Sequence, residues 1–280
     1  MGIGTITFLI VIANFIISYN GFSNRRFYSR LVFQVEKILV YKDYKRLITS
    51  GFLHVSWLHL LFNMFTLYAF GSSLEESLGP WQYLLLYFAA LIGGNLLSLF
   101  IHRNHAGYRS VGASGAIAGV MFGAIAIYPG LDIRFFGFSP AIPAWIFGLG
   151  YMLISIYGVK SKKDNVGHDA HLGGALIGMM VAILLRPIAL IDNYVPILII
   201  AVPALVFLYI IMTRPHFLLV DNYFFRNQED FYNIDHKYNQ ERANRQKEID
   251  RILEKIHKKG MKSLTREEKE LLKRESRSIK

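Results

Sequence analysis

Five polar side chains interrupt stretches that are otherwise apolar enough to lie in a bilayer: His54, His59 and Asn63 in one, Ser114 in a second, His171 in a third. A charge at the centre of a membrane helix costs about 2.5–3.5 kcal/mol on insertion scales, so ionisable and polar groups there need a reason. The types present suit acyl transfer. A serine hydroxyl becomes a nucleophile once an imidazole takes its proton, and the same imidazole can return that proton to a leaving amine. His59 and Asn63 are four residues apart, share one helix face and can both donate to a developing oxyanion. Ser114 lies in Gly112-Ala113-Ser114-Gly115-Ala116, where small neighbours leave the hydroxyl open to a close-packed helix and to a substrate backbone. Asp169 is two residues from His171, so on a helix it points elsewhere; it reads as a loop residue, and a Ser114–His171 dyad is the economical reading. His54 reads as a structural hydrogen-bonder near the surface, and His102, His105 and His168 as residues of polar loops. Taken singly, a serine in a membrane helix more often packs or bonds its own backbone, and a histidine there more often bridges helices. The coincidence of suitable types at one depth is what favours chemistry.

The elements that must position these groups are membrane helices. The chain has 280 residues, 53% hydrophobic and 18% charged, and the charge gathers in loops and the last quarter, a partition that suits a bilayer better than a water-soluble core. Apolar runs of about 17–25 residues can cross about 30 Å of hydrocarbon, and candidate spans fall at 2–19, 51–71, 82–101, 111–128, 141–158, 168–186 and 195–212. Alternate spans begin on the same side, so His59, Ser114 and His171, near the starts of the second, fourth and sixth, meet at similar depth. Gly115, Gly119 and Gly123 form one stripe and Gly174 and Gly178 another, spaced for close helix approach. The first span is followed by Arg25 and Arg26, with no small-residue cleavage site, and reads as a retained anchor. With no cysteine, disulfides, thiolate metal sites and a cysteine nucleophile are excluded. A net charge of +11 in so apolar a chain serves topology and anionic headgroups rather than nucleic acid.

Two segments fall outside the spans. Residues 20–50 mix apolar side chains with Lys and Arg and read as an interfacial loop or short helices on the bilayer. Beyond Pro215 the composition turns polar and basic, so the chain divides into a membrane domain, 1–213, and a tail, 214–280. In the tail, Ile249, Ile252, Leu253 and Ile256 recur at helical spacing and Gly260 reads as a stop. Thr265 and Glu268 form a capping box ahead of Leu271 and Leu272. The expected helical hairpin buries little and is expected to dock on a partner, a second copy or the membrane surface.

The motifs resemble those of rhomboid proteases over roughly residues 40–190. His54-Val-Ser-Trp-Leu-His59-Leu-Leu-Phe-Asn63-Met, preceded by Arg46-Leu-Ile-Thr-Ser-Gly-Phe, is similar to the family's second-helix signature. Gly112-Ala-Ser114-Gly resembles its nucleophile motif, and Ala170-His171-Leu-Gly-Gly174-Ala-Leu-Ile-Gly178 its catalytic-histidine helix. The resemblance implies an all-α polytopic bundle of six helices plus one C-terminal span, located in the cell (inner) membrane. It implies cleavage of membrane-anchored proteins in or near their transmembrane segments, with no cofactor and no metal. It carries the nucleophile to Ser114, the base to His171 and oxyanion roles to His59 and Asn63. Many members place an aromatic four residues after the nucleophile, under the histidine; here Ala118 stands there, and Phe122 is the expected substitute.

Charge and resemblance point opposite ways on orientation. Lys and Arg crowd the loops on the dyad side and the tail, which the positive-inside rule assigns to the cytoplasm, whereas rhomboids usually open outward. Two other readings compete with a protease: an inactive rhomboid relative that binds and escorts transmembrane helices, and a transporter using His54, His59, His168 and His171.

Overall fold

Backbone groups find no water inside a bilayer, so apolar segments must satisfy them internally, and here they do so as helices. The computed structural model describes residues 4–133, 141–161 and 166–213, and in the tail 251, 252, 255, 256, 264, 265 and 268. In chain order the elements are α1 Thr5–Ser23, α2 Arg25–Leu31, β1 Phe33–Gln34, α3 Val35–Leu39, α4 Arg46–Thr49, a 3-10 turn Ser50–Phe52, α5 Trp57–Leu78 and α6 Pro80–Ile101. Then follow β2 Arg109–Ser110, α7 Ser114–Ile127, β3 Asp132–Ile133, β4 Ile142–Pro143, α8 Ala144–Ser161, α9 His168–Leu185, α10 Ile188–Asp192 and α11 Tyr194–Thr213. The protein is an all-α, multi-pass membrane bundle. Among the described helices α1, α6, α8, α9 and α11 are long and apolar enough to cross a membrane, and α4 with its 3-10 turn and α5 make a sixth span bent by 98°.

Two expected spans differ in extent. The second is expected at 51–71, but the chain turns there: Ser56 accepts from the His59 N–H at 3.2 Å, so α5 starts at Trp57 and runs on to Leu78. The fourth is expected at 111–128, but α7 has only 14 residues. At about 1.5 Å per residue it rises about 21 Å, less than the hydrocarbon thickness of about 30 Å. A helix this short cannot reach both faces, and its first residue, Ser114, falls within the slab when its far end lies at an interface. Residues 115–126 of α7 are all buried, as befits a helix apolar all round at the centre of a bundle. Lipid is left to outer faces such as that of α5, where Leu58, Leu61, Phe62 and Phe65 are exposed.

Glycine decides how α7 meets its neighbours. A Cβ on Gly178 or Gly174 of α9 would collide with the backbone of Gly119 or Gly115, and one on Gly119 would lie 2.8 Å from the Gly174 carbonyl oxygen. The two stripes seen in the sequence therefore face each other. The opposite end of α1 is held by Glu75 of α5, whose carboxylate accepts from the N–H groups of Ile6 at 2.9 Å and Thr7 at 2.8 Å and from the Thr7 hydroxyl at 2.8 Å. A carboxylate at a helix N-terminus satisfies orphan donors and complements the dipole.

Residues 20–50 fold as short elements around one buried cation. Arg46 Nη1 donates to the carbonyls of Ser29 at 2.9 Å and Val32 at 2.6 Å, and its Nε to Asp43 at 2.8 Å. The antiparallel pair β1–β2, Phe33 opposite Ser110 and Gln34 opposite Arg109, ties this region to the segment leading to Ser114.

The chain divides into two compact units, Met1–Leu218 and Leu219–Lys280. In the second, the Thr265 N–H donates to Glu268 at 2.8 Å and the Glu268 N–H to the Thr265 hydroxyl at 3.3 Å, the reciprocal capping box read from the sequence. Lys255 donates to Glu268 at 2.8 Å, and Ile252 and Leu264 are buried. Ile249, Leu253, Gly260, Leu271 and Leu272 lie outside the described residues.

The seam yields a paired prediction. Gly178→Leu forces side-chain atoms into the Gly119 backbone and should destabilise by about 1–3 kcal/mol or more. Gly150→Ala in α8, where a Cβ meets nothing within 4 Å, should be neutral or slightly stabilising. Thermal unfolding of the detergent-solubilised chain checks both, and equal effects would contradict the seam.

Candidate active site

The nucleophile segment is shaped by a glycine. Gly112 has φ +135°, a conformation side chains rarely adopt, and its N–H donates to the Ser50 carbonyl at 3.1 Å. A Cβ there would sit 3.0 Å from His59 Cε1 and 3.5 Å from Ser114 Oγ. Its absence leaves one small space bordered by the second-helix histidine and the serine. Ser114 then opens α7, so the N–H groups of that first turn have no intrahelical acceptor and face the same end of the helix.

His171 reaches this space from α9. Its Nε2 lies 2.7 Å from Ser114 Oγ, a hydrogen bond across 57 residues of chain, and both side chains are half-buried. The tyrosine ring of Tyr151, from α8, lies 5.8 Å from the imidazole at 32°, and Phe122 of α7 lies 5.9 Å from Tyr151. The stacking expected of Phe122 thus passes through Tyr151. His168 meets the imidazole edge-on at 5.8 Å and packs against Gly158 of α8.

Asn63 is buried, and His59 is half-buried. Asn63 Nδ2 and His59 Nδ1 belong to the buried polar atoms with no hydrogen-bond partner among the described residues. A buried donor left unpaired costs about 1–3 kcal/mol, a cost recovered when an acceptor arrives. Behind them His54 is buried, its ring edge-on to His59 at 4.9 Å and its Nδ1 2.9 Å from the Ser18 hydroxyl. That matches its reading as a structural hydrogen-bonder, although it lies in the interior rather than near the surface.

Three readings of the sequence need correction. Asp169 is not a loop residue: it lies in the first turn of α9, 4% exposed, with His102 Nε2 3.1 Å away. His168 is likewise the first residue of α9 and buried, and His102 closes α6 rather than lying in a polar loop. Hydropathy could not find these, because a buried His–Asp contact looks like two loop residues until the partners meet. Tyr151 was missed for the opposite reason, being one aromatic in a wholly apolar span; the missing aromatic at Ala118 was the only hint.

A membrane helix bundle with a serine and a histidine hydrogen-bonded across two central helices is a narrow class of protein, and similarity to known proteins agrees with it. A sequence profile of the Rhomboid domain matches residues 41–188, and this chain belongs to the rhomboid family. Relatives include RHOMBOID-like protein 12, mitochondrial, of Arabidopsis thaliana, 29% identical over 179 residues, 59% of this chain and 48% of that protein. Rhomboid protein 1, mitochondrial, of Saccharomyces cerevisiae is 33% identical over 150 residues, 51% of this chain and 43% of that protein. Rhomboid protease GluP of Bacillus subtilis is 31% identical over 144 residues, 50% of this chain and 26% of that protein. The chain thus spans half or less of the length of these relatives. A second profile, of a family of unknown function, DUF6576, matches residues 232–278.

If Tyr151 sets the angle of the imidazole, Tyr151→Phe should keep reactivity toward a fluorophosphonate serine probe. Tyr151→Ala should slow labelling about tenfold, as expected when a reacting group loses its orientation. Equal rates for the two variants would remove Tyr151 from the site.

Proposed function

We propose that this protein is a serine-type endopeptidase that cleaves transmembrane segments of membrane-anchored proteins within the bilayer. The observation that carries the reading is the 2.7 Å contact of Ser114 Oγ with His171 Nε2, both half-buried, next to a space at Gly112 that His59 also borders. In this mechanism His171 Nε2 takes the hydroxyl proton as Ser114 attacks the scissile carbonyl carbon. The oxyanion accepts hydrogen bonds from Asn63 Nδ2, from His59 and from first-turn N–H groups of α7, donors fixed before the charge develops. His171 then gives the proton to the leaving amine, and a water activated by the same imidazole releases the acyl group from Ser114. The reading is a two-residue dyad, and Asp169 engages His102.

A scissile bond must reach Ser114 in extended form, so substrates are single-span segments that unwind readily, with Gly, Ala, Ser or Pro near the cut. Such segments should be cleaved faster than poly-leucine helices of equal length. The 214–280 tail is proposed as a separate accessory domain that docks on a partner, a second copy or the membrane surface.

Purified protein in liposomes tests the reading. Ser114→Ala and His171→Ala should abolish both cleavage and probe labelling, and Asn63→Ala should lower turnover on the order of 10²–10³. Helix binding that survives Ser114→Ala with no cleavage by the wild type would favour the escort reading; transport indifferent to Ser114 would favour a transporter.

A further inference from the structure

Asp169 is a buried carboxylate in a membrane helix, and neither seam nor dyad uses it. It sits in the first turn of α9, two residues before His171, so the two side chains leave the helix on different faces. Its partner is His102, the residue that closes α6, with Nε2 3.1 Å from the carboxylate. The His102 ring is itself gripped: it stacks on Tyr108 at 3.5 Å and 8°, and its Nδ1 lies 3.4 Å from His105 Nδ1. Ser98 of α6 and Tyr108 also face the carboxylate.

These contacts have a common geometry. Residues 102–114 run from His102 to Ser114, and the first turn of α9 runs from Asp169 to His171. The two segments are therefore tied twice, by Asp169 to His102 at 3.1 Å and by His171 to Ser114 at 2.7 Å. The 102–114 segment is a fixed reference, since β1–β2 pairs it with the first loop and the Gly112 N–H is bound by Ser50. The first turn of α9 already approaches its neighbours at Ala170, whose carbonyl oxygen a Cβ on Gly94 or Gly115 would meet at 2.5 or 3.1 Å, and Asp169 adds a side-chain tie to that same turn.

We propose that Asp169, through His102, is a positioning residue that holds the first turn of α9 in register with the nucleophile segment, so that His171 stays in reach of Ser114. The inference rests on the reading of Ser114 and His171 as a hydrolytic pair. It differs from a merely stabilising charge at a helix N-terminus, because it links the pair to turnover and not only to folding.

The test uses the full chain in liposomes with a fluorogenic single-span peptide, with rates referred to serines titrated by a fluorophosphonate. Asp169→Asn and His102→Gln should each lower kcat per titrated serine about tenfold with KM unchanged. The double variant should be no slower than either single, because both cut the same tie. Unchanged kcat per titrated serine, with only thermal stability reduced, would overturn the proposal, as would a double variant whose loss is the product of the single losses. Should Asp169→Asn fail to fold, His102→Gln with Asp169→Glu carries the same comparison, the glutamate being expected to keep most of the turnover and a tenfold loss counting against the tie. A wild type that neither cleaves nor labels rejects the hydrolase reading itself; active wild type with unaffected variants rejects only the positioning role.

Discussion

The approach of α7 to α9 down to backbone contact is the constraint on which the rest of this structure depends. In lipid there is no water to expel from between helices, so association relies on packing, and packing is greatest where side chains are absent. Gly115 and Gly119 on one helix and Gly174 and Gly178 on the other remove the side chains that would hold the backbones apart. Ser114 stands one residue before Gly115, and His171 one residue after Ala170, which Gly115 approaches. Two short side chains can then meet at 2.7 Å without either backbone being distorted to reach the other.

The second constraint is depth. A full-length span would carry Ser114 to the membrane surface, whereas a 14-residue helix leaves it within the slab when the far end lies at an interface. Space above that short helix is filled by chain that is itself locked: Arg46 gathers carbonyls from the first loop, and β1–β2 joins that loop to residues 109–110. Glu75, Arg46, Asp169 and His54 have partners and act on the frame. Asn63 Nδ2 and His59 Nδ1 have no hydrogen-bond partner among the described residues, nor has His54 Nε2.

What could be read without coordinates follows from local pattern. Apolar runs marked the membrane helices, glycine spacing marked the facing stripes, and Thr265 with Glu268 marked a helix start that the structure bears out as a reciprocal cap. Parity of the spans was enough to put His59, Ser114 and His171 at one end of the bundle. Where pattern and structure parted, the local signal was ambiguous in a specific way. Residues 51–56 are as apolar as a helix but turn because Ser56 caps α5, and residues 168–170 are polar like a loop but are buried because His102 comes to meet Asp169.

The amino-acid order by itself therefore determined which membrane helices exist, which of their faces are smooth enough to touch, and which residue types could carry a reaction, since each of these depends on neighbours within a turn or two. Only the tertiary structure decided which ring lies against His171, which side chain meets Asp169, and that α7 has only 14 residues. Those outcomes depend on the rotation and height of helices relative to one another. Rotation and height are settled by the sum of contacts along whole helix faces, between residues tens of positions apart, and no local spacing records that sum.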